Sequence, residues 1–157
     1  MPDNNHQLLF SRIGLYMVHW SAFELAVDVA TAKLSGLTPR DIVKETGGCY
    51  VSAKVTKLIG IVNNSSPPDK DAILEILKRV PDESIRNTIA HSYMVFGEDT
   101  VEFIHRNRRN NLVTHKFTSR ELQETLAEAT STAHKLTLLC GITPDEEKAF
   151  IEAVRMD

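Results

Sequence analysis

The sequence predicts a mainly α fold, an up-and-down helical bundle with two long core helices and a small antiparallel β-hairpin insertion. Three observations carry this. Apolar residues recur every three or four positions over two long proline-free stretches, one near each end of the chain. Between them, after Ser92, the pattern changes to short runs of β-branched and aromatic residues around turns. A repeated start signal, a Thr or Ser with an acid three residues on, punctuates the chain at Thr38, Ser66, Thr118 and Thr143.

The first long helix is expected from about Asn5 to Leu34, where Leu9, Ile13, Tyr16, Met17, Trp20, Phe23, Val27, Ala30 and Leu34 make a broad apolar stripe. At ~1.5 Å per residue it would be roughly 45 Å long. Gly14 costs only about 1 kcal/mol within it, and Ser35-Gly36 is a natural stop. Glu24 falls within the stripe, so it either pairs with a cation, Arg86 being the best candidate, or meets water at the stripe's edge.

Thr38-Pro39-Arg40-Asp41 starts a short helix that Gly47-Gly48 stops. Val51, Val55, Leu58, Ile59 and Val62 mark the next, ending at Asn63-Asn64. Ser66-Pro67-Pro68-Asp69 starts another, carrying Ile73, Leu74, Ile76 and Leu77. Val80-Pro81-Asp82 breaks the pattern and restarts it, with Asp82 capping a helix that bears Arg86 and His91.

Strands follow at Tyr93–Phe96 and Thr100–Ile104, joined by Gly97-Glu98-Asp99, and a further one at Leu112–Phe117. The turn from His105 to Asn111 concentrates Arg106, Arg108 and Arg109 in a net acidic chain. It is either a solvated turn or a set of RNA-phosphate contacts. Leu122, Leu126, Ala129, Ala133, Leu136 and Cys140 form the second long helix, with small residues at 129 and 133 for close packing and His134 off the stripe. Gly141 stops it and Thr143 to Arg155 makes a terminal helix. No repeat or linker interrupts residues 1–157, which read as one domain.

With 42% hydrophobic and 25% charged residues the composition is that of a soluble globular protein. A net charge of -3 and a pI near 6.1 argue against a protein that coats nucleic acid nonspecifically and leave room for a local basic patch. Cys49 and Cys140 lack metal-type spacing, Met1–Gln7 lacks the basic run of a signal peptide, and no stretch approaches the roughly 20 apolar residues of a membrane span. A reduced cytoplasmic setting is expected. Glycine-rich phosphate loops, zinc-type ligand sets and Ser/His/Asp arrangements are absent, which disfavours kinases, metallohydrolases and serine hydrolases.

The chemistry concentrates in Arg86-Asn87-Thr88-Ile89-Ala90-His91. On a helix, Asn87 and His91 lie one above the other, and Arg86 is long enough to reach the same patch. Ile85 and Ile89 mark a separate apolar stripe, with Ala90 small enough for a close neighbour. An imidazole exchanges protons near pH 7, and a guanidinium holds a phosphate through two hydrogen bonds. The same three groups also suit a solvated, hydrogen-bonded surface.

Arg86-Asn87-x-x-Ala90-His91, followed by Ser92 and Tyr93 late in a small helical domain, resembles the signature of the HEPN family. In that motif an Arg, often followed by a polar residue, precedes a His by four to six intervening residues; here four intervene. Trp20-Ser21-Ala22-Phe23-Glu24 on an early long helix is similar in kind, though less specific. The resemblance implies a metal-independent endoribonuclease needing no cofactor, acting as a homodimer with a composite cleft. It implies that His91 transfers protons, Arg86 stabilises charge on the scissile phosphate and Asn87 orients the phosphate or His91, with Glu24, from its place in the α1 stripe, a supporting partner for Arg86. Attack by the ribose 2′-hydroxyl would leave a cyclic 2′,3′-phosphate. Members often serve as toxins of toxin–antitoxin pairs or as anti-phage effectors, commonly beside a nucleotidyltransferase-like antitoxin. The alternative implied is a non-catalytic helical module for nucleotide binding or protein interaction.

Overall fold

The computed structural model describes residues 4–80, 83–107 and 109–155. The expected cap Asp82 lies outside them. Among the described residues the elements run α1 (Asn4–Ser35), α2 (Pro39–Thr46), α3 (Val51–Ser65), α4 (Lys70–Lys78), α5 (Glu83–His91), β1 (Tyr93–Phe96), β2 (Thr100–Arg106), β3 (Leu112–Thr118), α6 (Ser119–Leu139) and α7 (Pro144–Arg155). The protein is therefore mainly helical, with two long helices, α1 and α6, and a small antiparallel sheet inserted between α5 and α6. The insertion is a three-stranded meander rather than a lone hairpin, because Leu112–Thr118 pairs with the far side of β2. No helix among the described residues is long and apolar enough to cross a membrane.

The chain divides into two compact units, one of Met1–Trp20 and Pro81–Thr130, the other of Ser21–Val80 and Ser131–Asp157. In the first, α1 buries Leu9, Ile13, Tyr16 and Trp20, the sheet buries Val101 and Phe103, and α6 buries Leu122 and Ala129. Full burial of a side chain such as Phe103 contributes roughly 1.5–3 kcal/mol. Phe103 meets Phe117 edge-on at 5.8 Å, a favoured aromatic geometry. On the same face, at the β1 edge, Phe96 takes the rings of Phe10 at 4.4 Å and His6 at 5.5 Å from α1. Arg12 ties α1 to the start of α6 by donating to Ser119 and to Gln123 Oε1.

The second unit is entirely helical. Phe23, Val27 and Ala30 of α1, Ile42 of α2, Leu58 and Val62 of α3, Ile73 of α4 and Leu136 of α6 are all fully buried. An ion pair enters this core: Lys54 Nζ lies 2.7 Å from Asp28 Oδ2, and Thr46 Oγ1 donates to Asp28 Oδ1. Lys33 reaches the Gly141 carbonyl and pairs with Glu146 of α7.

The start signals act as expected in three places. Thr38 and Asp41 close a full capping box, and Thr118–Glu121 and Thr143–Glu146 do the same at α6 and α7. The fourth is a correction. Ser66 does not start α4; it ends α3 in the left-handed conformation (φ 48°), two residues beyond the Asn63-Asn64 stop read from the sequence. The two prolines that follow cannot donate to a continued helix, so Ser66 closes one element before Asp69 opens the next.

Candidate functional site

α5 is a nine-residue helix seated by Thr88 and Ile89, which are buried, with Ile85 half-buried. Thr88 is the unforeseen anchor. Ala90 is exposed, so the expectation that it admits a close neighbour does not hold. The 100° step per residue then decides what is offered. His91 is exposed at the helix's last turn, and Asn87 and Arg86 are half-buried. Arg86 Nη1 donates to Asn87 Oδ1 at 3.1 Å, so the amide holds the guanidinium against the helix. The Nε of Arg86 is buried and has no hydrogen-bond partner among the described residues. A half-buried guanidinium tethered at one end can bind an oxyanion, and the imidazole one turn beyond its Asn87 tether can exchange a proton.

Glu24 is half-buried on the portion of α1 that belongs to the second unit, whereas Arg86 belongs to the first.

The arginine turn begins later than the sequence suggested. His105 and Arg106 lie in β2 rather than in the turn, and Arg108 lies outside the described residues. Arg106 Nη1 donates to both the carbonyl and the side-chain oxygen of Asn110, whose φ of 62° makes the turn. Asn107 Oδ1 accepts from the backbone N–H groups of Arg109 and Asn111. Arg106 thus holds the hairpin closed, while Arg109 is exposed.

A histidine pair was missed. The rings of His105 and His115 stack at 5.4 Å with 13° between their planes, and His105 Nδ1 is buried without a hydrogen-bond partner among the described residues. Alternation along β2 and β3 puts both on the face that carries Phe103 and Phe117. The two residues were visible in the sequence; the register that joins them was not.

Several cavities lie in the second unit, one of about 320 Å³ against Arg40, Val43, Lys44 and Val154 among them. A second, of about 540 Å³, is lined by Val29, Leu37 and Phe150 with the Lys33–Glu146 pair; a third, of about 350 Å³, lies against Ile76, Arg79 and Leu138. None of the three includes Arg86, Asn87 or His91. Among the described residues no group of three or more His, Cys, Asp or Glu side chains is placed to hold a metal ion.

Fold and site together define a mainly helical protein that shows an Arg-Asn-His group on one short helix. Compared with protein-family models, curated proteins and solved structures, the chain matches none.

Proposed function

We propose that this chain is an endoribonuclease that needs no metal ion, with Arg86, Asn87 and His91 of α5 as its centre. The observation that supports it best is the arrangement on α5: a guanidinium held at 3.1 Å by Asn87, and an exposed imidazole on the helix face shared with that amide. In the step proposed, the His91 imidazole takes the proton of the ribose 2′-hydroxyl. The 2′-oxygen forms a bond to phosphorus while the bond to the 5′-oxygen breaks, leaving a cyclic 2′,3′-phosphate. The departing 5′-oxygen takes up a proton, supplied in a homodimeric cleft by a second copy. Arg86 offsets the charge that builds on the phosphate oxygens. The role as a toxin or anti-phage effector beside a nucleotidyltransferase-like antitoxin, and a cytoplasmic setting, belong to the same proposal.

One observation favours the alternative of a non-catalytic module. Arg86 is half-buried and spends one donor on its own neighbour, as a structural arginine would. A comparison of the purified protein with His91→Ala on mixed single-stranded and structured RNA, in excess EDTA, separates the two. Cleavage that vanishes in the variant is the expected result. Equal cleavage by both proteins removes His91 from the chemistry, and cleavage by neither favours the module.

A further inference from the structure

Alternation along the strands puts the buried Val101 and Phe103 on one face of the sheet and leaves the other open. On that open face Tyr93, Val95, Thr114 and Lys116 are exposed and Ile104 is half-buried. Tyr93 is 83% exposed; it lies across from Ile104, which lies across from Thr114, so a large ring stands beside smaller neighbours. The same face carries two cations, Arg106 and Lys116, against one carboxylate, Glu102, which Lys116 meets at 3.1 Å. That is a local excess of positive charge in a chain of net charge -3. Arg106 spends Nη1 on Asn110 and Lys116 is 58% exposed, so both keep N–H donors turned to solvent. Tyr93 follows His91 by two residues, which puts their Cα atoms at most roughly 7 Å apart. Both belong to the first unit.

We propose that this open face is a platform for single-stranded RNA, on which one base stacks on Tyr93 while flanking phosphates meet Lys116 and Arg106. The choice of RNA rests on the reading of α5 given above; the platform adds which form of RNA the site takes and which residues hold it. An exposed aromatic ring offers a π-face that any base can cover, and backbone-tracking cations beside it are the general means of holding a single strand. Only an unpaired base is free to leave its neighbours and lie on such a ring. A duplex keeps its bases stacked inside and would offer this face its phosphates alone. The preference is therefore for unpaired over paired RNA, and not for a sequence, because stacking tolerates every base. A base seated on Tyr93 brings its ribose and phosphate to the end of the sheet where His91 stands. The sheet holds the strand, and the groups of α5 act on it.

Fluorescence anisotropy tests it, with a labelled 2′-O-methyl oligoribonucleotide about twelve nucleotides long and protein up to about 100 µM at low salt. The methylated 2′-oxygen cannot attack, so binding is read without cleavage. The wild type should bind the single strand at least about tenfold more tightly than the same strand annealed to its complement. Tyr93→Ala should lose about tenfold in affinity and Tyr93→Phe almost none, because the ring and not the hydroxyl makes the stack. Lys116→Gln should reduce the slope of log affinity against log salt by about 0.7. Tyr50→Ala removes another exposed tyrosine (69%), from the second unit, and should bind as the wild type does. The proposal is overturned by a Tyr93→Ala variant that binds like the wild type, by a Tyr93→Phe variant as weak as Tyr93→Ala, by a duplex bound as tightly as the single strand, or by a wild type that binds neither. The two readings fail separately. Binding that depends on Tyr93 with no cleavage of unmodified RNA supports the platform and removes the nuclease. Cleavage of dilute unmodified RNA that is as fast in Tyr93→Ala as in the wild type supports the nuclease and overturns the platform.

Discussion

Removing one member of the Asp28–Lys54 pair should cost far more stability than removing both. The two charges sit 2.7 Å apart with side chains only 12% and 13% exposed, and Thr46 Oγ1 adds a hydrogen bond at 3.3 Å. Asp28→Ala leaves the Lys54 ammonium in that setting with no counter-charge, and Lys54→Met leaves the carboxylate with only the threonine hydroxyl. Breaking a buried pair on one side costs about 3–5 kcal/mol. The residual exposure lets the Lys54 stem lean toward water, so the lower end, about 3 kcal/mol, is expected for each single variant. Asp28→Leu with Lys54→Met replaces both by apolar groups and should lie within about 1 kcal/mol of wild type. Urea unfolding followed by circular dichroism reads this directly. With a denaturant slope of about 2 kcal/mol per molar, each single variant should lower the midpoint by roughly 1.5 M. Single variants within about 0.5 kcal/mol of wild type would refute the reasoning, as would a double variant that loses the sum of the two.

Two further outcomes follow from the same structure. Hydrogen bonds from Thr38 hold the Asp41 carboxyl below its ordinary 3.8, and those from Thr118 and Thr143 lower Glu121 and Glu146 below 4.5. A carboxyl depressed on folding adds stability that is present above its unfolded pKa and lost as pH falls through the folded one. Melting temperature should therefore be level down to about pH 4.5 and fall below it, and Glu121→Gln combined with Glu146→Gln should flatten that fall; an unchanged slope would refute it. Burial pushes the Cys140 thiol up to about 11, whereas Cys49 is exposed. An aromatic disulfide reagent at pH 8 should label Cys49 rapidly and Cys140 only on unfolding, so rapid labelling of both would contradict the packing of α6.

Much of the fold was legible because its signals are local. The stripe from Leu9 to Leu34 located α1 to within a residue at each end, and Thr38, Thr118 and Thr143 marked helix starts through bonds that span three residues. Ser66 misled for the same reason. Ser-Pro-Pro-Asp obeys the grammar of a helix start, but the preceding helix had not yet ended, and its last carbonyls claimed the Ser66 N–H first. Of the candidate site, Arg86, Asn87 and His91 do share one helix, and the tie between the first two joins neighbours in the chain. The arginine turn was less legible, since nothing local said that β2 would run on through Arg106.

By itself, the sequence determined the helices, the place of the strands and the presence of Arg, Asn and His on one short segment. These depend on periods of two and 3.6 residues and on caps a few residues long, whose energies arise within a single turn. Only the tertiary structure decided that Asp28 meets Lys54, that His105 stacks on His115, that Arg106 closes its own hairpin, and that Tyr93 stands on the open face of the sheet. Such contacts join residues whose separation along the chain carries no periodic signal. Register and burial choose them, and both come from packing whole elements together rather than from any one of them.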